Sequence, residues 1–291
     1  MYHPAGAEAL FRTFRNRSDE AWLDILLSSL RVPGIDGVPM PGFPSDDLQR
    51  EIHGHAGEVS LHEAHVFFRE VKSYCAYAGR PIAPHRTLLD FGCGWGRMLR
   101  LFMKDIEPEN LFGADSTSRF LMEARRCNPS VNFLSCQLAP PSILASESLD
   151  YVISWSVFSH LDEFLSLRWI EEFARILKPG GLLLITTQSR RFIAFCAEMR
   201  LRRASGISLE HPWYEACANS FVDEELETAR YEAGQFLHAA SALPPHPQSH
   251  YGEAVIPRGY VVKKWGHLFR MIDFLDNPVR LPQVLLVLQK P

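Results

Sequence analysis

The stretch LLDFGCGWGRML, residues 88–99, decides how the rest of the chain is read. It opens with a short apolar run holding a carboxylate, Asp90, and continues with glycines at alternate positions, Gly92, Gly94 and Gly96. Glycine tolerates positive φ and leaves no Cβ where a ligand or another backbone must come close. The pattern predicts a strand, a tight turn and then a helix beginning near Arg97, whose free N–H groups would point into the same space. In an open parallel sheet that is where nucleotide-like ligands bind, at the carboxyl ends of the strands. A bare strand-to-helix connection would use the same turn, so the neighbouring segments have to decide.

The segment LFGAD, residues 111–115, ends a second apolar run on Asp115, nineteen residues beyond Gly96. A carboxylate at the end of the adjacent strand is placed to accept both hydroxyls of a ribose, which favours an adenosine-containing ligand. A dinucleotide fingerprint counted from Gly92 would need a glycine at position 97, where Arg97 stands. The chain has D-x-G-x-G-x-G instead, starting at Asp90.

Further out, from residue 86, the apolar runs TLLDFG, NLFGAD, VNFLSC, LDYVISWS and GLLLITT alternate with the amphipathic stretches GRMLRLFMKD, SRFLMEARRC and FLSLRWIEEFARIL. That alternation predicts βαβ units and a parallel sheet with helices on both faces. LKPGG reads as a helix stop and turn ahead of the fifth strand. YVVKKWGHLF reads as a helix, and RMIDFLDNPVRLPQVLLVLQK as an antiparallel strand pair at the sheet edge. Residues 188–258 are too many for a bare loop and are expected to form a mostly helical insertion, with LPPHPQSH as an exposed loop. Before residue 86, GAEALFRTFRNRS and DEAWLDILLSSLR have helical spacing, VPGIDGVPMPGFPSDD is turn-rich, and LHEAHVFFREVKSYCAYAGR is helical again, together a cap or lid.

Composition narrows the partners. A net charge of −4 gives no basic field, so nucleic acid is not expected. No run approaches the roughly 18 apolar residues of a membrane helix, and residues 1–30 interrupt their apolar positions with Arg, Asp and Glu, so neither a membrane span nor a secretory leader is expected. Six scattered cysteines without a C-x-x-C pair fit reduced thiols and a cytoplasmic protein.

In LLDFGCGWGR, LFGAD, LDYVISWSVFSHL and ILKPGGLLLITT, in this order and spacing, the chain resembles the class I S-adenosylmethionine-dependent methyltransferases. The resemblance covers about residues 86–187 and 251–290. It implies a Rossmann-like α/β fold: a seven-stranded, mostly parallel sheet with helices on both faces and an antiparallel terminal strand pair. The expected domains are a helical cap over residues 1–85 and a methyltransferase domain over 86–291, with a helical insertion after the fifth strand at about 190–255. The implied cofactor is S-adenosylmethionine. Asp90 and Gly92 would hold its methionine amino end, Cys93 and Gly94 would lie against it, and Asp115 would bind the ribose with Ser116 beside the adenine. The family's acidic or amide position after the third strand falls at Cys136 or Gln137, where no carboxylate stands; Gln137 and Leu138 would flank the adenine. Ser154, Trp155 and Ser156 would line the methyl-donor end. SVFSHL and YGEAVIPRGYVVKKWG look like a bacterial small-molecule subgroup linked with glycans and secondary metabolites.

The implied reaction is methylation of a small-molecule acceptor, at oxygen first and at nitrogen as the runner-up. A nicotinamide-dependent oxidoreductase would share the glycine turn but not Arg97 or the terminal strand pair, and a cofactor-binding protein without turnover is the third reading. An oxygen nucleophile benefits from a base. His160, just past the fourth strand, is the first candidate, against packing or helix capping. Tyr251 and Glu253, with His250, form the second set; a lone glutamate is otherwise a surface carboxylate. His53, His55, His62 and His65 could ligate a metal, but H-E-A-H lacks the i, i+4 spacing of a zinc helix, so no metal is expected. HGHAGE instead reads as a loop closing over the cofactor, with Phe67, Phe68 and Tyr74 as apolar wall or core. Trp213, Tyr214, Phe221, Tyr231 and Phe236 could form an acceptor pocket, the insertion's own core or a homodimer interface. Arg190, Arg191, Arg200, Arg202 and Arg203 form a basic stretch, a solvated face or an anion site. Replacing Asp115 by Ala should weaken cofactor binding by about 1.5 to 3 kcal/mol, the worth of a charge-assisted contact. An unchanged calorimetric affinity would move the ribose elsewhere.

Overall fold

A computed structural model describes residues 4–240 and 250–291. Helices α1 (Pro4–Phe14) and α2 (Asp19–Ser28) precede a two-residue hairpin, β1 (Gly34–Ile35) with β2 (Val38–Pro39), and then α3 (Asp46–His53) and α4 (Gly57–Tyr77). The alternating region follows: β3 (Leu88–Phe91), α5 (Leu99–Phe102), β4 (Leu111–Asp115), α6 (Ser118–Cys127), β5 (Asn132–Ser135), β6 (Leu149–Ser154), α7 (Glu163–Ile176) and β7 (Leu177–Thr187). Helices α8 (Arg190–Ala204), α9 (Pro212–Asn219) and α10 (Glu224–Glu232) lead to β8 (Leu237–Ala239) and β9 (Glu253–Val255). Helix α11 (Arg258–Trp265) and strands β10 (Arg270–Leu275) and β11 (Val284–Gln289) close the chain.

Seven strands are hydrogen-bonded in the order β10-β11-β7-β6-β3-β4-β5. Strand β3 runs parallel to β4 and β6, and β4 parallel to β5, while β10 and β11 are the antiparallel pair at one edge. The implied seven-stranded fold is therefore the one observed. The central strands are mainly apolar because both of their faces are covered: all four residues of β3 and all six of β6 are buried, Asp90 and Asp150 among them.

Three local expectations need correction. The helix after the glycine turn does not begin near Arg97; α5 is four residues long and starts at Leu99. Gly92, Gly94 and Gly96 stand at φ 72°, 53° and 82°, in the left-handed region that a right-handed helix cannot include. LKPGG is not a turn ahead of β7 but its first part. Pairing there has already begun, since Ser148 donates its backbone N–H to Ile176 O at 2.9 Å, and Gly180 at φ 74° absorbs the bend. Within the turn-rich segment the chain forms a hairpin around Asp36-Gly37, both at positive φ, and a helix, α3. The signals were present: Asp-Gly is a two-residue hairpin dipeptide, Ser45 accepts the Leu48 N–H as N-cap, and Gly54 at φ 75° is the C-cap.

The chain divides into two compact units, Met1–Ile153 with Ile176–Leu182, and Ser154–Arg175 with Leu183–Pro291. In the first, Phe67 and Phe68 are fully buried, Phe68 edge-on to Phe102 at 4.9 Å, so these aromatics are core. Trp22 donates its indole N–H to Arg100 O at 3.1 Å. Asp150, on β6, gathers Arg80 at 3.2 Å, Arg86 at 2.6 Å and Lys178 at 2.7 Å, and accepts from the Thr87 amide and hydroxyl. In the second unit, Phe192, Phe221, Leu237 and Val255 form a core against which Trp213, Tyr214 and Tyr231 pack. The basic stretch is engaged: Arg200 donates to Ser220 O at 2.6 Å and Phe221 O at 2.8 Å, and Arg190 and Arg203 pair with Glu232 and Glu215. Residues 243–249 of LPPHPQSH lie outside the described residues. Among the described residues no helix is long and apolar enough to cross a membrane, and no group of three His, Cys, Asp or Glu side chains is arranged to hold a metal.

Burial alone would raise the Asp150 carboxyl, but Lys178, Arg86 and Thr87 hold it well below the usual carboxylate range. A depressed folded-state pKa contributes stability that is present above the ordinary carboxylate range and lost as pH falls through the depressed value. Replacing Asp150 by Ala strands three cations around a buried site and should cost about 3 kcal/mol or more in urea unfolding at neutral pH, with a much smaller cost in acid. A cost that did not vary with pH would show that the ion pairs contribute nothing.

Candidate functional site

In the first unit, the ends of β3 and β4 bring Asp90, Gly92, Cys93, Gly94 and Asp115 together. The amides of Gly92 and Cys93 both donate to Ala114 O, at 2.8 and 3.0 Å, which folds the turn back over the end of β4. Gly94 N–H donates to Asp115 Oδ2 at 2.9 Å, and Thr117 N–H to Oδ1 at 2.8 Å, so the carboxylate is held in one orientation. Gly96 serves packing: a Cβ there would lie 2.8 Å from Asn128 Nδ2 and 2.9 Å from Phe133 Cζ. Ser116 follows Asp115 on the surface. Cys136 donates its amide to Asp115 O at 3.1 Å, setting exposed Gln137 and half-buried Leu138 beyond the end of β5.

Asp90 is 2% exposed and its Oδ2 has no hydrogen-bond partner. Burial and the neighbouring Asp115 push its carboxyl up to about 7, with the Arg97 guanidinium pulling the other way. Arg97 is itself buried, donating to Ser60 O at 3.0 Å and to Glu63 at 2.6 Å on α4. The last turn of α3 lies over the glycine turn, with Ile52 Cγ2 3.2 Å from where a Gly94 Cβ would be.

In the second unit, Ser154 ends β6 fully buried, and Trp155 and Ser156 follow half-buried. Ser156, at φ 58°, donates its amide to Thr186 Oγ1 at 2.7 Å. Its hydroxyl accepts from Gln283 Nε2 at 2.9 Å, and the Thr186 hydroxyl donates to Gln283 Oε1 at 2.6 Å. Thr186 and Gln283 were missed from sequence: a Thr-Thr strand end hinted at the first, and nothing local marked the second.

His160 and the segment 251–254 meet across a short backbone pairing, in which Gly252 donates to His160 O and Ala254 to Ser159 O. The imidazole stacks on Tyr251 at 4.9 Å and 13°, with Nδ1 2.8 Å from Gly252 O and 3.7 Å from Glu253 Oε1. Glu253 is 2% exposed rather than at the surface, and its Oε1 accepts from Trp213 Nε1 at 2.8 Å. Burial pushes its carboxyl up to about 8, against the opposing pull of the Trp213 N–H. Burial also takes His160 below the ordinary imidazole range, partly countered by the Gly252 carbonyl. Near neutral pH the pair is an uncharged imidazole beside a protonated acid. Trp213 was weighed from sequence as pocket wall or core, and its bond to Glu253 comes from the packing of α9. Of the second set, His250 lies apart from this pair, 2.6 Å from Asp162 Oδ2.

Residues 88–181 match a family model described as a methyltransferase domain. A ubiquinone/menaquinone biosynthesis C-methyltransferase of Campylobacter jejuni is 30% identical over 125 residues, which is 40% of this chain and 52% of that protein. A trans-aconitate 2-methyltransferase of Acidovorax is 30% identical over 107 residues, 34% of this chain and 37% of that protein. The chain thus aligns with about half or less of the curated relatives it matches. Magnesium protoporphyrin IX methyltransferase of Synechocystis, solved with bound S-adenosylhomocysteine, superposes with a TM-score of 0.51 at 15% identity, over 84% of this chain and 94% of that one. At that identity the likeness is one of fold. Residues 88–181 thus form a methyltransferase domain, for which the resemblance of the sequence motifs implies S-adenosylmethionine as cofactor.

The residues present fit that cofactor. An ammonium group brought to Asp90 would give Oδ2 the partner it lacks, and a cation there favours the ionised carboxyl. Binding of S-adenosylhomocysteine should therefore release protons near neutral pH, seen as a calorimetric enthalpy that depends on the buffer's ionisation heat. Affinity should rise from about pH 6 to about pH 8. By the same sign, the ligand-free protein loses this group's contribution to stability as pH rises through about 7. A pH-independent affinity with no proton release would show that Asp90 does not meet the ligand's cation.

Proposed function

We propose that this chain transfers a methyl group from S-adenosylmethionine to a hydroxyl oxygen of a small-molecule acceptor, with His160 as the base. The observation that carries the reading is the contact of His160 Nδ1 with Gly252 O. A carbonyl can only accept, so Nδ1 bears the proton and Nε2 is left with the lone pair that a base needs. Burial keeps the ring neutral, and stacking on Tyr251 fixes its plane.

The cofactor supplies an electrophilic methyl group on a cationic sulfur. His160 Nε2 takes the acceptor's proton as the oxygen bonds to the methyl carbon, and the electron pair of the broken carbon–sulfur bond stays on sulfur. Glu253 lies 3.7 Å from His160 Nδ1, so its ionised form favours the imidazolium that His160 becomes on taking the proton. The sequence resemblance at SVFSHL supports a glycan-related or secondary metabolite as acceptor. A second reading, methylation at an acidic carbon, is favoured by the matched relative named as a C-methyltransferase, and it would use the same base.

Incubation with trideuteromethyl-labelled cofactor and an acceptor panel tests the reading, since the methyl carbon's NMR shift separates oxygen from carbon products. Replacing His160 by Ala should lower kcat about 100-fold with S-adenosylhomocysteine affinity unchanged. Retained turnover would leave His160 a packing residue. The pH profile should fall on the acid side as the imidazole protonates, and rise further near 8 as Glu253 ionises and strengthens the base. Replacing Glu253 by Gln should keep turnover and remove the rise near 8, whereas an unchanged rise would exclude Glu253 as its source.

A further inference from the structure

We propose that His53, at the end of α3, donates a hydrogen bond from Nε2 to the carboxylate at the amino-acid end of the bound cofactor, with Arg97 supplying the compensating positive charge. The inference rests on the cofactor reading of the glycine turn.

Three observations carry it. His53 Nε2 is buried with no hydrogen-bond partner, an arrangement that is costly unless something meets the atom. The ring stands at the glycine turn: Cε1 is 3.9 Å from where a Gly94 Cβ would be, and the ring centroid is 6.0 Å from that of Trp95. Arg97 is 1% exposed, and although its Nη1 is taken by Ser60 and Glu63, its Nε and Nη2 have no partner.

The charges around the turn are complementary to an α-amino acid. The Arg97 guanidinium acts on both Asp90 and His53, pulling the carboxyl down and, after burial, helping to keep the imidazole well below its ordinary range. The turn therefore presents one unpartnered carboxylate oxygen, one buried cation and one neutral donor. An ammonium group matches the first, and a carboxylate matches the other two. A neutral imidazole carries at Nε2 either a proton or a lone pair, and a carboxylate selects the protonated form. The ligand class is a nucleoside thioether or sulfonium bearing a free amino acid, and the N-terminal segment reads its acidic end.

The test compares S-adenosylhomocysteine with 5′-methylthioadenosine, which keeps the nucleoside and sulfur but lacks the amino acid. Calorimetric affinities are measured for the full-length protein and for His53→Ala, with the ligand-free melting temperature of each as the fold control. The expected result is a loss of about tenfold or more for S-adenosylhomocysteine and less than about twofold for methylthioadenosine. His53→Gln, which keeps a donor and protects against a folding failure of the alanine variant, should retain most of the affinity. Equal losses for both ligands would overturn the proposal and leave His53 as packing over the turn, and no loss for either would overturn it as well. If the unaltered protein bound neither ligand, the cofactor reading itself would fall, and that outcome is separable because it precedes any comparison of variants.

Discussion

The hydrogen bond from the Gly94 amide to the Asp115 carboxylate joins the two features on which the cofactor region depends. It ties a backbone turn whose positive φ values favour glycine to the oriented side chain at the end of β4. Thr117 holds the second oxygen, and the amides of Gly92 and Cys93 return to the same strand end. The turn is thus tied by hydrogen bonds to the end of β4, next to the parallel pairing of β3 with β4. Gly96 shows the other half of the constraint: Asn128 and Phe133 close on it until no Cβ could fit.

Burial then does the chemical tuning in both units. Asp90 and Glu253 are carboxyls kept from water without a cationic hydrogen-bond partner, and each is pushed toward its neutral form. Asp150, equally buried but surrounded by Arg80, Arg86 and Lys178, goes the opposite way. The difference is the partner rather than the burial. A carboxyl with three cations is structural, whereas one with an unpartnered oxygen is poised for a group that is not part of the chain.

The sheet and its order of elements were legible in sequence because fully covered strands are predominantly apolar runs, and helices between them show a polar face. The glycines were legible because a tight turn at positive φ favours glycine, and Asp90 and Asp115 because each is a carboxylate within or at the end of an apolar run. The helix expected to start near Arg97 starts two residues later, at Leu99. Helix α3 was overlooked between turn signals, although Ser45 and Gly54 are regular cap residues.

Sequence by itself determined the alternation of strands and helices from residue 86 and the position of the glycine turn, because each depends on local backbone geometry or on residue periodicity, whereas the class of cofactor was implied by the resemblance of the motifs to a family. Tertiary structure alone decided the state of the side chains. Glu253 reads as a surface residue until α9 brings Trp213 onto it, and His160 has no assigned tautomer until Gly252, 92 positions away, presents its carbonyl. His53 likewise gains meaning only where α3 settles over Gly94. Protonation states and unmet hydrogen bonds are properties of an environment assembled from distant segments, and a linear pattern does not specify that environment.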